Sequence, residues 1–124
     1  RGMGDCNILQ EYYRFDCYRL AYRRAAKQLN GRPAYADALK ALEEVENTLG
    51  QIVAQNADPT IKKKRKGFDS YTPVKPASIP KATAQFEQAL DKAETVLLRS
   101  PKNTQVHYAR IAEVVHSNKV LLRS

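Results

Sequence analysis

Along most of the chain, apolar residues recur at three- and four-residue steps with charged and amide side chains between them, the spacing of a helix with one inward face. The first stripe is Ile8, Tyr12, Phe15, Tyr18, Tyr22, Ala25 and Leu29, and it stops at Asn30-Gly31, a helix terminator. The second is Tyr35, Ala38, Leu39, Leu42, Val45, Leu49, Ile52 and Val53, opened by Pro33. A third, after Ser78 and with Pro80 in its first turn, carries Ala82, Phe86, Ala89, Leu90, Ala93, Val96 and Leu97. In the fourth, Ser100 is placed to cap and Pro101 to open a helix whose inward face is Tyr108, Ile111, Val115 and Leu122, flanked by Val114 and Leu121. The predicted helices span about 12–29, 34–56, 80–99 and 101–122. No segment shows sustained strand alternation.

Short links between helices one and two, and between three and four, predict two antiparallel helical hairpins. The connector, 57–79, holds a basic run with Gly67, Pro73 and Pro76, which cannot continue a helix. The expected fold is all-α: a single helical domain over 1–124, a four-helix bundle of two hairpins joined by a long, partly extended crossover. Up-down-up-down order is the first choice, because a crossover of this length permits either direction of return.

The 124 residues suffice for a buried core without metal or dense disulfides, and no apolar run approaches the length of a membrane-spanning helix. The chain begins at Arg1 rather than methionine, which predicts that a leader or pro-segment has been removed or that the sequence was cut at an artificial boundary.

A net charge of +8 suggests an anionic partner, but Lys62, Lys63, Lys64, Arg65 and Lys66 supply five of it in one block. That block fits a nucleic-acid patch, an anionic-membrane anchor or a lysine-rich import signal, against the simpler expectation of a solvated, mobile loop. A second candidate surface is the concentration of Tyr12, Tyr13, Phe15, Tyr18 and Tyr22 among Arg14, Arg19, Arg23 and Arg24. Most of these rings are expected in the core or at its edge with their hydroxyls in water. Tyr and Arg anchor protein interfaces, so Tyr12, Tyr13, Arg14, Arg19 and Arg23 form the preferred interaction face.

Candidate chemistry is sparse. Glu113 and His116 have the Glu-x-x-His spacing of di-iron bundles, but the second such pair is missing, and His107, nine residues from His116, falls on the opposite helix face. There is no nucleophile elbow and no Gly-rich phosphate loop. Neither metal nor cofactor is expected.

Cys6 and Cys17 constrain the N-terminus. In one continuous helix they would share a face but stand roughly 16 Å apart along the axis, too far to bridge. Three arrangements are open, reduced buried thiols, an intramolecular bridge that needs a break near 10–13, and an antiparallel dimer bridged between chains, and the bridge within one chain is the expected one. The stretch Cys6-Asn7-Ile8-Leu9, followed by Arg14-Phe15-Asp16-Cys17-Tyr18, resembles the opening of several small exported bacterial proteins. In these a cysteine precedes Arg-Leu-x-Cys-Tyr-Asp by about a dozen residues and the two cysteines pair. This chain departs by one residue of spacing, by Phe15 for leucine and by Arg19 for the acidic residue. The resemblance implies an exported, disulfide-bearing helical domain and no activity.

The functional expectation is a non-catalytic binding or structural module of the cell envelope or secreted space, with a protein or an anionic envelope component as partner. The competing expectation is a basic nucleic-acid-binding protein of a reducing compartment, using the 62–66 run with Arg19, Arg23 and Lys27.

Overall fold

The structure, a computed structural model, describes residues 3–99 and 105–123. It is an all-α bundle of α1 (Glu11–Leu29), α2 (Ala36–Asn56), α3 (Ile79–Leu98) and α4 (Gln105–Arg123). Short 3-10 turns precede α1, α2 and α3, at Met3–Ile8, Pro33–Tyr35 and Pro76–Ser78. Asn30-Gly31 ends α1 as expected, with Gly31 in the left-handed region (φ 78). The Ser100 cap and the Pro101 start of α4 lie outside the described residues, as does the side chain of Leu121.

The crossover decides the topology. Ala57 forms an antiparallel bridge with Val74, the Asp58 amide donates to the Pro73 carbonyl (2.9 Å), and the Lys75 amide donates to the Asn56 carbonyl (2.8 Å). The chain therefore leaves the end of α2 and returns to the same point, so α3 starts where α2 stops and runs antiparallel to it. Contacts from α3 to α4 pair Glu94 with His116 and Asp91 with Lys119, which makes these two antiparallel as well. Up-down-up-down order follows.

Between its closed ends the crossover is partly extended, as expected, but in a form that no strand pattern announced. It contains a β-hairpin, β1 (Lys64–Lys66) against β2 (Asp69–Tyr71), in register Lys64 to Tyr71, Arg65 to Ser70 and Lys66 to Asp69. Strands of three residues are too short to display an alternating pattern, so periodicity alone could not reveal them.

The core follows the stripes, with corrections at the edges. Leu42, Val45, Leu49 and Ile52 of α2 are buried, and Phe86 of α3 meets the rings of Phe15, Tyr18 and Tyr22 from α1 at centroid distances of 6.4, 5.3 and 6.3 Å. Tyr108 of α4 stacks on Tyr35 and donates from its hydroxyl to the Ala34 carbonyl (2.8 Å). Ile8 is exposed, because the chain has left the helical path before it could join the α1 stripe, and Val96 and Val114 face outward. Val74 and Tyr71, from the crossover, enter the core instead.

Candidate functional site

The N-terminal turns of α1 organise one end of the bundle by holding two excursions of the chain. The first is the Met3–Ile8 turn. The helical path breaks at Leu9-Gln10, slightly ahead of the expected place, and the turn folds back so that Cys6 and Cys17 lie at disulfide distance, with Sγ atoms 2.09 Å and Cα atoms 5.7 Å apart. Arg14 donates through Nε to the Leu9 carbonyl (2.9 Å) and through Nη2 to the Asn7 carbonyl (3.0 Å), so it satisfies backbone acceptors that the break leaves exposed. The Tyr18 hydroxyl donates to Asn7 Oδ1 (2.8 Å).

The second excursion is the basic crossover. Asp16, buried inside α1, accepts from the Thr72 amide (2.7 Å) on one oxygen and from Arg19 Nε (2.6 Å) on the other. Its partner amide lies 56 residues away, so nothing in the local sequence marks the role. Tyr12 accepts the Val74 amide on its backbone carbonyl (2.9 Å), and the Tyr13 hydroxyl donates to the Lys62 carbonyl. At the base of the loop Asp58 accepts from the Thr60 hydroxyl (2.6 Å) and amide (2.8 Å), and these bonds hold its carboxyl below the ordinary range. Near the tip, Arg24 of α1 pairs with Asp69 (2.5 Å).

These bonds redistribute the expected interaction face. Tyr13 is buried, and Arg14 and Arg19 are committed to the turn and to Asp16. Tyr12 is half-buried, with its hydroxyl donating to Gln10, while Arg23 is exposed. Tyr12, Arg19 and Arg23 share a helix side, but the stem of Arg19 lies over Gly50 of α2. The five residues do not form one open patch. The hydroxyls expected in water are drawn inward: those of Tyr13 and Tyr18 bond to protein. That of Tyr22 is buried without a partner among the described residues, and burial pushes its phenol up.

Lys62, Lys63, Lys64, Arg65 and Lys66 are all exposed, not as a featureless loop but on the way into and along β1. The connection from Lys66 to Asp69 is Gly67-Phe68, with φ +64 at the glycine and no positive φ at the phenylalanine, the requirement of a two-residue turn that opens with glycine. Phe68 stands at the tip fully exposed, at 102 % relative accessibility. Sequence reasoning missed it, although a glycine at Gly67 is the residue that the first position of a two-residue hairpin turn admits.

Beside the hairpin lies a groove of about 400 Å³, floored by Cys6, Cys17 and Ala21 and rimmed by Arg24, Lys66 and Asp69. It shares Ala25, Gln28 and Val114 with a smaller apolar groove of about 150 Å³ between α1 and α4.

Elsewhere, His116 Nδ1 lies 2.9 Å from Glu94 of α3, while Glu113 is exposed. His107 belongs to α4, but its side chain lies outside the described residues. Among the described residues no group of three or more His, Cys, Asp or Glu could hold a metal ion, and no helix is long and apolar enough to cross a membrane. No protein-family model, curated protein or solved structure matches the chain.

Proposed function

We propose that this chain is a non-catalytic binding or structural module of the cell envelope or secreted space. The observation that carries this reading is the Cys6–Cys17 pair, held at bonding distance by a turn that Arg14 and Tyr18 also secure. Such a bridge persists in oxidising compartments and is rare where thiols are kept reduced. The resemblance of the opening segment to exported bacterial proteins points the same way. The basic hairpin is the surface available for binding, since its cations and Phe68 are exposed while the crossover base is anchored to α1.

The test is thiol alkylation before lysis of the cells that make the protein, followed by mass measurement without reductant. A monomeric chain with neither cysteine alkylated is expected. Two alkylated thiols would overturn the exported reading and favour a protein of a reducing compartment.

A further inference from the structure

We infer that the hairpin of residues 62–71 docks on a membrane surface rich in anionic lipid, with Phe68 entering the boundary between headgroups and acyl chains. The inference rests on the exported reading above, because it deepens the binding role assigned there.

Three observations lead to it. Phe68 leaves a whole aromatic side chain in water at the tip of the hairpin, and Gly67 in the left-handed region permits the tight reversal that puts it there. Five consecutive cations stand exposed immediately behind it. The one carboxylate of the segment, Asp69, is paired with Arg24 at 2.5 Å, so it offsets little of that charge. Lys66, Arg65 and Lys64 follow the tip at intervals of about 3.3 Å. A ring seated at the hydrocarbon boundary therefore sets the first cations within the headgroup layer, which is about 5–8 Å deep. Basic residues gain by approaching an anionic leaflet, and a buried ring adds an apolar contribution that charge alone lacks.

The geometry favours a lipid surface over a nucleic acid. Single-strand binders lay successive bases on several aromatic rings along a basic groove. In this hairpin the only other aromatic, Tyr71, is buried, and the cations run along one strand behind a single exposed ring. One exposed ring backed by a row of exposed cations suits a planar, deformable interface.

The chain contains no tryptophan, so a Phe68→Trp variant reports the tip without background. Sedimentation and fluorescence with vesicles of equimolar phosphatidylcholine and phosphatidylglycerol should show binding with a blue-shifted emission, and vesicles of phosphatidylcholine alone should bind far less. Replacing Lys64, Arg65 and Lys66 by serine should weaken partition by roughly a hundredfold, and Phe68→Ser by about tenfold, with unchanged circular dichroism in both. Absence of binding to the anionic vesicles at low salt overturns the proposal. So does binding in which the Phe68→Trp emission stays that of a water-exposed ring, or tighter retention on single-stranded DNA that Phe68→Ser abolishes. If vesicle binding fails while Cys6 and Cys17 are bridged in cells, the docking proposal falls and the exported reading stands; free thiols in cells with intact vesicle binding give the converse.

Discussion

The N-terminal turn and the basic hairpin are two excursions fastened to the same helix end, yet they are fastened differently. The turn is tied by side chains reaching back along its length: Cys17, Arg14 and Tyr18 engage Cys6, Asn7 and Leu9. The hairpin is tied mainly at its base, through Asp16 to Thr72, Tyr13 to Lys62 and Tyr12 to Val74, with the Arg24–Asp69 pair nearer a bare tip. Residues that terminate every polar group on the protein build structure; residues that leave cations and a ring in water are available to something else. The polar ties of α1 therefore hold the hairpin in place while its cations and Phe68 stay in water.

The largest effect should come from the core on which α1, the helix that holds both excursions, is packed. Leu49→Ala, at a fully buried position of α2, should cost about 2–5 kcal/mol in urea denaturation, and protection from amide exchange should fall in the turn and the hairpin together. A near-neutral result would mean that α2 does not carry the core.

Replacing Cys6 and Cys17 by serine should cost about 3 kcal/mol in the chain-entropy account of so short a loop. Exchange should rise at Leu9, whose amide donates to the Cys6 carbonyl, and stay unchanged across β1 and β2. If the hairpin amides opened equally, the two excursions would be one cooperative unit and the contrast would fail.

Asp16→Asn is the reciprocal change. It weakens a charge-assisted acceptor for Thr72 and removes the partner of Arg19, for about 2 kcal/mol. The Thr72 amide should lose protection while the Cys6–Cys17 bridge stays formed; a loss confined to the turn would contradict the assignment.

Smaller still are the hydroxyl effects. Tyr18→Phe removes the bond to Asn7 and should cost about 1 kcal/mol, whereas Tyr22→Phe removes an unpartnered buried hydroxyl and should be neutral or stabilising. Burial raises both phenols above the ordinary tyrosine value, with Arg14 opposing the rise at Tyr18 and the neighbouring Tyr18 adding to it at Tyr22. The folded state thus holds these protons more tightly than the unfolded one. Stability should be full below about pH 10 and decline as pH rises beyond it. Tyr22→Phe should flatten that decline, and an unchanged slope would count against Tyr22 as its source.

The smallest effect belongs to the cations. Serine at 62–66 should shift stability by no more than about 0.5 kcal/mol, because the one anchoring bond there uses the Lys62 carbonyl rather than a side chain. A large loss would show that the charges hold the hairpin instead of presenting it.

The four helices, their breaks at Asn30-Gly31 and near Pro80, and the buried stripe of α2 were determined by the sequence, because periodicity and terminators act over one or two turns. The need for a break before Cys17, if the cysteines were to bridge within one chain, was determined in the same way by helix rise. Tertiary structure alone decided that both ends of the crossover meet beside Asn56, which orders the bundle. It also turned Arg14 from a candidate contact into a cap and sent Asp16 to an amide far along the chain. The physical reason is the same in each case: most polar groups withdrawn from water are paired wherever the fold brings a partner, and a partner distant in sequence leaves no local trace.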